Sequence, residues 1–454
     1  MQTSPDTTGL GGHPKGLTTL FFTELWERFS YYGMRAILIL YMVAPVANGG
    51  LGFDTKTAAS IYGTYTMSVY LTTLPGGLLA DRLLGARLAV LLGGIIIACG
   101  HFSMVFAQLP FFYTGLVLIA TGTGLLKPNI STMVGSLYGE NDPRRDSGFS
   151  IYYMGINIGA VLAPLVCGFL AQSEGFKLLL ADWGFDPKSS WHWGFGAAGV
   201  GMTLGLIVYL AQRRRLEHIG QMTRKPKNAH AAAAGHAPLT ATEWKRVGAI
   251  FIFFLFTILF WAAYEQKGAS LNLFADRLVR TEVFGYRFPS SWLQSLTAFF
   301  VILLAPLFSM LWVRMGERQP SSPAKFTLGL LFIGAGYLLM IPAAMLTVSG
   351  KISPLWLVGL YFLEVVGEMC LSPVGLSVVT KLAPAKVLGI MMGVWFLAAA
   401  LGNKLAGYLA GFFDANDAGV LTTLYGGIAA GLLISAAVLA ALTPAIRRMM
   451  GNVR

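Results

Sequence analysis

The sequence predicts an all-α membrane protein that crosses the bilayer about twelve times, with its helices grouped as two bundles of six. Three observations predict it. First, 55% of the 454 residues are hydrophobic and only 12% are charged, whereas soluble proteins carry about 25% charged residues. Second, apolar runs of about 20 residues, each long enough to cross roughly 30 Å of hydrocarbon, recur along the whole chain. Third, one long polar break falls near the middle. Together these exclude a water-soluble globule and a disordered chain.

Apolar runs between polar breaks place six spans over 18–45, 57–80, 88–107, 111–134, 147–172 and 191–212. In the first, Glu24, Glu27, Arg28, Tyr31 and Arg35 recur at i, i+3, i+4, i+7 and i+11, which lays them on one helical face. Turned to lipid that stripe would be prohibitively costly, so it is expected to face a wet cavity; the plainer alternative is an ion-pair ladder locking helices together. The second span carries Tyr62, Tyr65 and Tyr70, candidates to line a pocket. A loop over 77–85 leads to the third, and its Asp81 and Arg82 are suited to capping helix ends. His101 in the third span reads as a satisfied structural residue rather than a proton relay. The fourth contains Gly122-Thr123-Gly124-Leu125-Leu126-Lys127-Pro128-Asn129. Its proline frees a carbonyl one turn back and its glycines permit a bend or close packing. Broken helices near the midplane tend to mark binding sites.

The break over 213–243, with Arg213, Arg214, Arg215, Arg224, Lys225 and Lys227, separates residues 1–212 from 244–454 as a cytoplasmic linker. Six more spans follow over 244–274, 290–313, 325–347, 354–380, 387–412 and 419–446. The seventh places Trp261 and Glu265 four residues apart, and the tenth does the same with Glu364 and Glu368, followed by Ser372. Met391 and Met392 in the eleventh are expected to pack. Two six-helix halves about a polar loop are the layout of the major facilitator architecture, in which each half holds two inverted three-helix repeats.

The net charge of +12 describes topology and needs no nucleic acid. With both termini on one side, 21 Lys and Arg fall on that side, 7 on the other, and five within spans: Arg28, Arg35, Lys127, Lys267 and Lys404. The positive-inside rule then puts both termini in the cytoplasm of a multi-pass plasma (bacterial inner) membrane protein. The polar start, with no basic stretch before a short apolar core, predicts no cleavable signal peptide. Cys99, Cys167 and Cys370 all lie within apolar runs and give neither a disulfide framework nor zinc spacing. No phosphate-binding Gly-rich loop, zinc helix or nucleophile elbow occurs, so no enzyme, cofactor or metal is expected. An ion channel stays open as an alternative, although charged cavity residues in two halves fit alternating access better.

Each ionisable residue at membrane depth costs roughly 2.5–3.5 kcal/mol on insertion scales. The five cations face five carboxylates, Glu24, Glu27, Glu265, Glu364 and Glu368, and equal numbers predict pairing inside the bundle. Cations of the first half and carboxylates of the second would make gates that weaken when a carboxylate accepts a proton.

Glu24-Leu25-Trp26-Glu27-Arg28-Phe29-Ser30-Tyr31-Tyr32-Gly33 resembles the ExxERFxYYG motif of the proton-dependent oligopeptide transporters, and Phe149 to Gly159 resembles that family's second signature. The resemblance implies proton-coupled symport of di- and tripeptides into the cell, powered by the proton gradient without a cofactor. The implied partners are the peptide, protons and the lipid bilayer, with no obligate protein partner. It implies that Glu24, Glu27, Arg28 and Lys127 couple protons, and that Arg28 and Lys127 also receive the peptide carboxylate. By the same likeness Glu368 holds the peptide amino terminus with Asn157 assisting. Arg35 and Glu265 match a pair linking the first and seventh helices, and Tyr32, Tyr70, Trp261, Ser372 and Trp395 match pocket-lining positions. Two departures stand out. Bacterial members commonly carry two extra helices between the halves, whereas 213–243 has no apolar run long enough. Thr297 stands where an asparagine helping to bind the peptide amino terminus is expected. Another charged solute, such as nitrate or a drug, is the alternative cargo within the same architecture.

Overall fold

A computed structural model describes residues 6–139, 142–221, 239–384 and 386–451, and these are almost wholly helical. Most of the linker, including Arg224, Lys225 and Lys227, lies outside the described residues. In chain order the helices are α1 (Lys15–Val43), α2 (Thr55–Leu71), α3 (Thr73–Leu79), α4 (Ala86–Ser103), α5 (Leu109–Ser136), α6 (Arg145–Gln172), α7 (Glu174–Asp182) and α8 (Ser190–Ala211). They continue with α9 (Ala241–Tyr264), α10 (Ser270–Leu278), α11 (Ser295–Met315), α12 (Ser322–Leu346), α13 (Leu355–Leu382), α14 (Leu388–Ala410) and α15 (Ala418–Met450). A hairpin of β1 (Glu282–Val283) and β2 (Tyr286–Arg287) is the sheet among the described residues. Ten helical stretches among the described residues are long and apolar enough to cross a membrane. Beside these stand the 29-residue α1, set apart by its charges, and α2 followed directly by α3.

Local chemistry explains where several helices begin and break. Thr240 caps α9 in a reciprocal box with Glu243, and Asp417 caps α15 by accepting from the amides of Gly419 at 2.8 Å and Val420 at 3.0 Å. The fourth expected span runs unbroken through Pro128 as α5. The seventh, read as continuous over 244–274, instead breaks: α9 ends at Tyr264, a 3-10 turn covers Glu265–Gly268, and α10 restarts at Ser270. No proline marks this break, and its glycine, Gly268, comes at the end of the turn. Polar side chains hold the break, since Gln266 Nε2 donates to the carbonyls of Ala262 at 3.2 Å and Ala406 at 3.0 Å. The Tyr337 hydroxyl donates to the Ala263 carbonyl at 2.8 Å. The expected loop over 77–85 is a π turn over Ala80–Leu84 that holds Asp81 and Arg82 within helical backbone.

The described residues form two compact units. One gathers residues 6–54, 68–221 and Thr281–Phe299; the other gathers Thr55–Met67 and residues 239–280 and 300–451. In the first unit α1 packs on α6 and α8, and α4 on α5. Its core includes Leu17, Leu20, Val90, Ile97, Leu126, Ile130 and Met202. Gly93 and Gly122 let α4 and α5 touch backbone to backbone, because a Cβ on Gly122 would stand 2.6 Å from the Gly93 carbonyl oxygen. In the second unit α12 packs on α13 and α15, and α9 on α14. There Gly63 of α2 meets Gly407 of α14, and a Cβ on Gly407 would lie 2.6 Å from the Gly63 Cα.

Candidate functional site

In the first unit the charged face of α1 is interior. Glu24, Glu27, Arg28, Tyr31 and Arg35 are each at most 4% exposed, so the stripe is turned inward and away from the outer surface. Arg28 finds its carboxylates on its own helix. Its Nη2 donates to Glu27 Oε1 at 2.7 Å, its Nε donates to Glu27 Oε2, and its Nε lies 3.2 Å from Glu24 Oε1. The Tyr31 ring lies between two guanidiniums, with Arg28 Cζ 5.0 Å and Arg35 Cζ 5.9 Å from its centroid. The result is a ladder of cation, carboxylate and aromatic ring along one face, in a setting where unpaired charge would be costly.

Other elements of the unit bring further groups to this face. Lys127 of α5 sits with Nζ 4.4 Å above the Tyr70 ring, and both Lys127 and the Tyr152 hydroxyl of α6 lie within electrostatic reach of Glu24. Glu24 Oε2 itself has no hydrogen-bond partner among the described residues, so one carboxylate oxygen is left over in the interior. Tyr32 is half-buried with its ring edge-on to Tyr31 at 5.2 Å. Asn157 is buried and donates from Nδ2 to the Tyr153 carbonyl at 2.9 Å, so one amide hydrogen already serves its own helix. Thr297 is also buried, and its hydroxyl donates to the Gln294 carbonyl at 2.9 Å.

The second unit holds its own cluster around the α9 break. Glu265 is the first residue of the 3-10 turn and is buried. One residue earlier, the Tyr264 hydroxyl donates to Glu368 Oε2 of α13, while Lys267 Nζ rests 3.5 Å over the Tyr264 ring. Lys267 is within electrostatic reach of both Glu368 and Glu364. Glu364 is 0% exposed, and neither of its oxygens has a hydrogen-bond partner among the described residues. Trp261 stands edge-on to Tyr264 at 5.2 Å. Trp395 is buried, edge-on to Phe326 at 6.3 Å, and Ser372 is half-buried on the Glu368 helix. Lys404, another cation at membrane depth, donates to Thr64 Oγ1 at 2.6 Å.

Thus Glu24, Glu27, Arg28, Tyr32, Arg35, Tyr70, Lys127 and Asn157 fall in one unit, and Trp261, Glu265, Glu368, Ser372 and Trp395 in the other. Tyr152 and Tyr264 belong to these clusters although neither was assigned a role on sequence grounds. The signal for Tyr264 is its place beside Glu265; for Tyr152 it is the second signature itself. His101, expected to be satisfied, is fully buried with neither ring nitrogen bonded to a described residue. Among the described residues no group of three His, Cys, Asp or Glu side chains is placed to hold a metal ion, and the three cysteines are free.

Outside the spans, the N-terminal segment is clasped to the connection between α5 and α6. Arg144 Nη1 donates to the carbonyls of Asp6 at 3.0 Å and Gly12 at 2.8 Å, and its Nη2 meets Asp142 Oδ2 at 2.7 Å. Hydrogen bonds from the Thr8 hydroxyl and from the amides of Lys15 and Thr8 bring the Asp6 carboxyl down to about 2. Hydrogen bonds from the Arg144 side chain and amide hold Asp142 below the usual carboxylate range. Burial pushes the Tyr138 phenol up to about 12, and its hydroxyl lies 2.9 Å from His13 Nδ1.

Comparison with known proteins gives these clusters a context. A profile of the POT family matches residues 87–234 and 221–424. The chain is 39% identical to a peptide transporter, YePEPT, of Yersinia enterocolitica subsp. palearctica, over 100% of this chain and 99% of that one. It is 36% identical to a di-/tripeptide transporter of Lactococcus lactis subsp. cremoris, over 98% of each chain. A crystal structure of a mutant of the peptide transporter POT in complex with alafosfalin is similar with a TM-score of 0.88, at 39% identity over 98% of each chain.

Proposed function

From the premise that this chain belongs to the POT family of membrane transporters, we propose that it imports di- and tripeptides by proton-coupled symport through alternating access. The observation that carries the reading is the interior charge ladder of α1, where Arg28 is bonded to Glu27 and adjoins Glu24 with one carboxylate oxygen left over. Charge buried at membrane depth is retained for function by default, and a carboxylate paired to a guanidinium loses that pairing when it takes a proton. The names of the relatives support the cargo, since one is a peptide transporter and another a di-/tripeptide transporter.

In this reading each end of a zwitterionic peptide meets the opposite charge. Arg28 and Lys127 receive its carboxylate. Glu368 receives its ammonium, with Asn157 assisting. Tyr32, Tyr70, Trp261, Ser372 and Trp395 line the side-chain pockets, where aromatic surface accepts many side chains without reading any one. Glu24, Glu27 and Glu265 are the protonatable groups, and Arg35 is the partner of Glu265. The proton is assigned to this set of carboxylates rather than to one member. The basic side of the chain, with both termini, faces the cytoplasm of the bacterial inner membrane.

Competition tests the cargo. Uptake of a labelled dipeptide into proteoliposomes is expected to fall with unlabelled di- and tripeptides and to be unmoved by free amino acids or nitrate. Equal competition by free amino acids would overturn the peptide assignment.

A further inference from the structure

A pocket of about 340 Å³ opens where α4 begins and α8 ends, and no part of the transport reading uses it. Its floor is apolar: Leu216 is buried, as is the Tyr209 ring, whose hydroxyl is held by donation to the Arg87 carbonyl at 3.0 Å. Leu88 and Leu210 line it and stay 43% and 44% exposed, so its apolar lining continues onto the outer surface of both helices. Arg87 and Arg213 are its cations. Both lie at helix ends, the first in the opening turn of α4 and the second two residues past α8.

The chain after α8 closes the pocket by folding back on α4. The Arg87 amide donates to the Gly220 carbonyl at 3.1 Å, and Arg87 Nη1 donates to the Glu217 carbonyl at 3.3 Å. The same segment carries Arg213, Arg214 and Arg215 against the single carboxylate of Glu217. Cations beside an apolar floor and an exposed rim of leucines complement an amphiphile with an anionic head and acyl chains. A soluble anion would leave the leucines unused, and a zwitterionic lipid would leave the arginines without net attraction.

We infer that this pocket binds an anionic phospholipid, with Arg87 and Arg213 on the phosphate and the Leu88 and Leu210 surface against an acyl chain. Basic pockets between membrane helices are suited to such headgroups, and each Lys or Arg near an anionic lipid surface contributes about 1 kcal/mol, a factor of about five in affinity. The inference does not depend on the peptide reading.

Native mass spectrometry of the purified protein, incubated with equal amounts of phosphatidylglycerol and phosphatidylcholine, tests it. The wild type is expected to retain phosphatidylglycerol preferentially, and Arg213→Gln to cut that preference about fivefold. Arg213 suits the test because Arg87 also bonds the chain that closes the pocket. Arg318→Gln, an arginine of the second unit outside this pocket, is the control and is expected to keep the preference. Equal retention of both lipids, an unaffected Arg213→Gln, or an equal loss in Arg318→Gln would each overturn the assignment. Displacement of the lipid by glycerol 1-phosphate at equal concentration would also overturn it, in favour of a simple anion site.

Discussion

Glu27→Gln separates charge from shape in the α1 ladder. The substitution keeps the side-chain volume but replaces one oxygen facing the guanidinium by an amide nitrogen, which is also a donor. Arg28 then loses one of its two bonds to residue 27 and keeps its 3.2 Å contact with Glu24. All three side chains are at most 3% exposed, so water does not replace what is lost. A hydrogen bond to a charged partner contributes about 1.5–3 kcal/mol, and the surviving carboxylate keeps the loss near the lower half of that range, about 2 kcal/mol. That is a factor of roughly 30 in the folded-to-unfolded ratio. Removing the shared cation with Arg28→Ala leaves two buried carboxylates without that partner, and about 3–5 kcal/mol is expected. Thermal unfolding in detergent ranks the three proteins as wild type, Glu27→Gln, then Arg28→Ala. Under the proposed function Glu27→Gln also loses uphill uptake while keeping peptide exchange. Stability within about 0.5 kcal/mol of wild type, together with full uphill uptake, would refute the pairing argument.

Other consequences follow from packing and from the cytoplasmic clasp. A Cβ on Gly33 would meet Cys167 Sγ at 2.5 Å, so Gly33→Ala should cost about 1–3 kcal/mol. Adding Cys167→Ala should restore most of it in a thermal melt, because the clashing atom is then gone. Gly407→Ala meets backbone, the Ala59 carbonyl oxygen and the Gly63 Cα, both at 2.6 Å. It should destabilise by a similar amount and resist rescue by any side-chain truncation at its neighbours. The folded-state carboxyl of Asp6 lies at about 2, below its ordinary 3.8, so the clasp is complete above about pH 4 and loosens as pH falls toward 2. Hydrogen exchange at the Lys15 and Thr8 amides, corrected for intrinsic rates, should accelerate over that window. Unchanged protection down to pH 2 would contradict it.

Much of the fold was legible because membrane insertion imposes a simple rule: long apolar runs read as helices. The charged face of α1 was equally clear, since its 3–4 residue spacing survives folding. What was missed turns on partners far apart in the chain. The break at Glu265 is held by Gln266, Ser270 and Tyr337, and the partners of these residues include Ala406 and Ala263, far apart in sequence. At Pro128 a strong local breaker is absorbed by continuous helix, with Asn129 Nδ2 donating to the Leu125 carbonyl at 2.7 Å. The spacing placed Arg28 on one face with Glu24 and Glu27 but could not show that its bonds go to Glu27 beside it, a choice set by rotamer and packing. Tyr264 was passed over because nothing in a sequence shows that its hydroxyl reaches Glu368 some hundred residues on.

The central claim is that a proton gradient drives peptide inward through this chain. Its most direct test is accumulation of a labelled dipeptide in proteoliposomes under an imposed inward proton gradient, with and without a protonophore. The account predicts accumulation above the outside concentration that collapses when the protonophore is added. Saturable uptake that only equilibrates, with the same rate and extent in the presence of the protonophore, would contradict it.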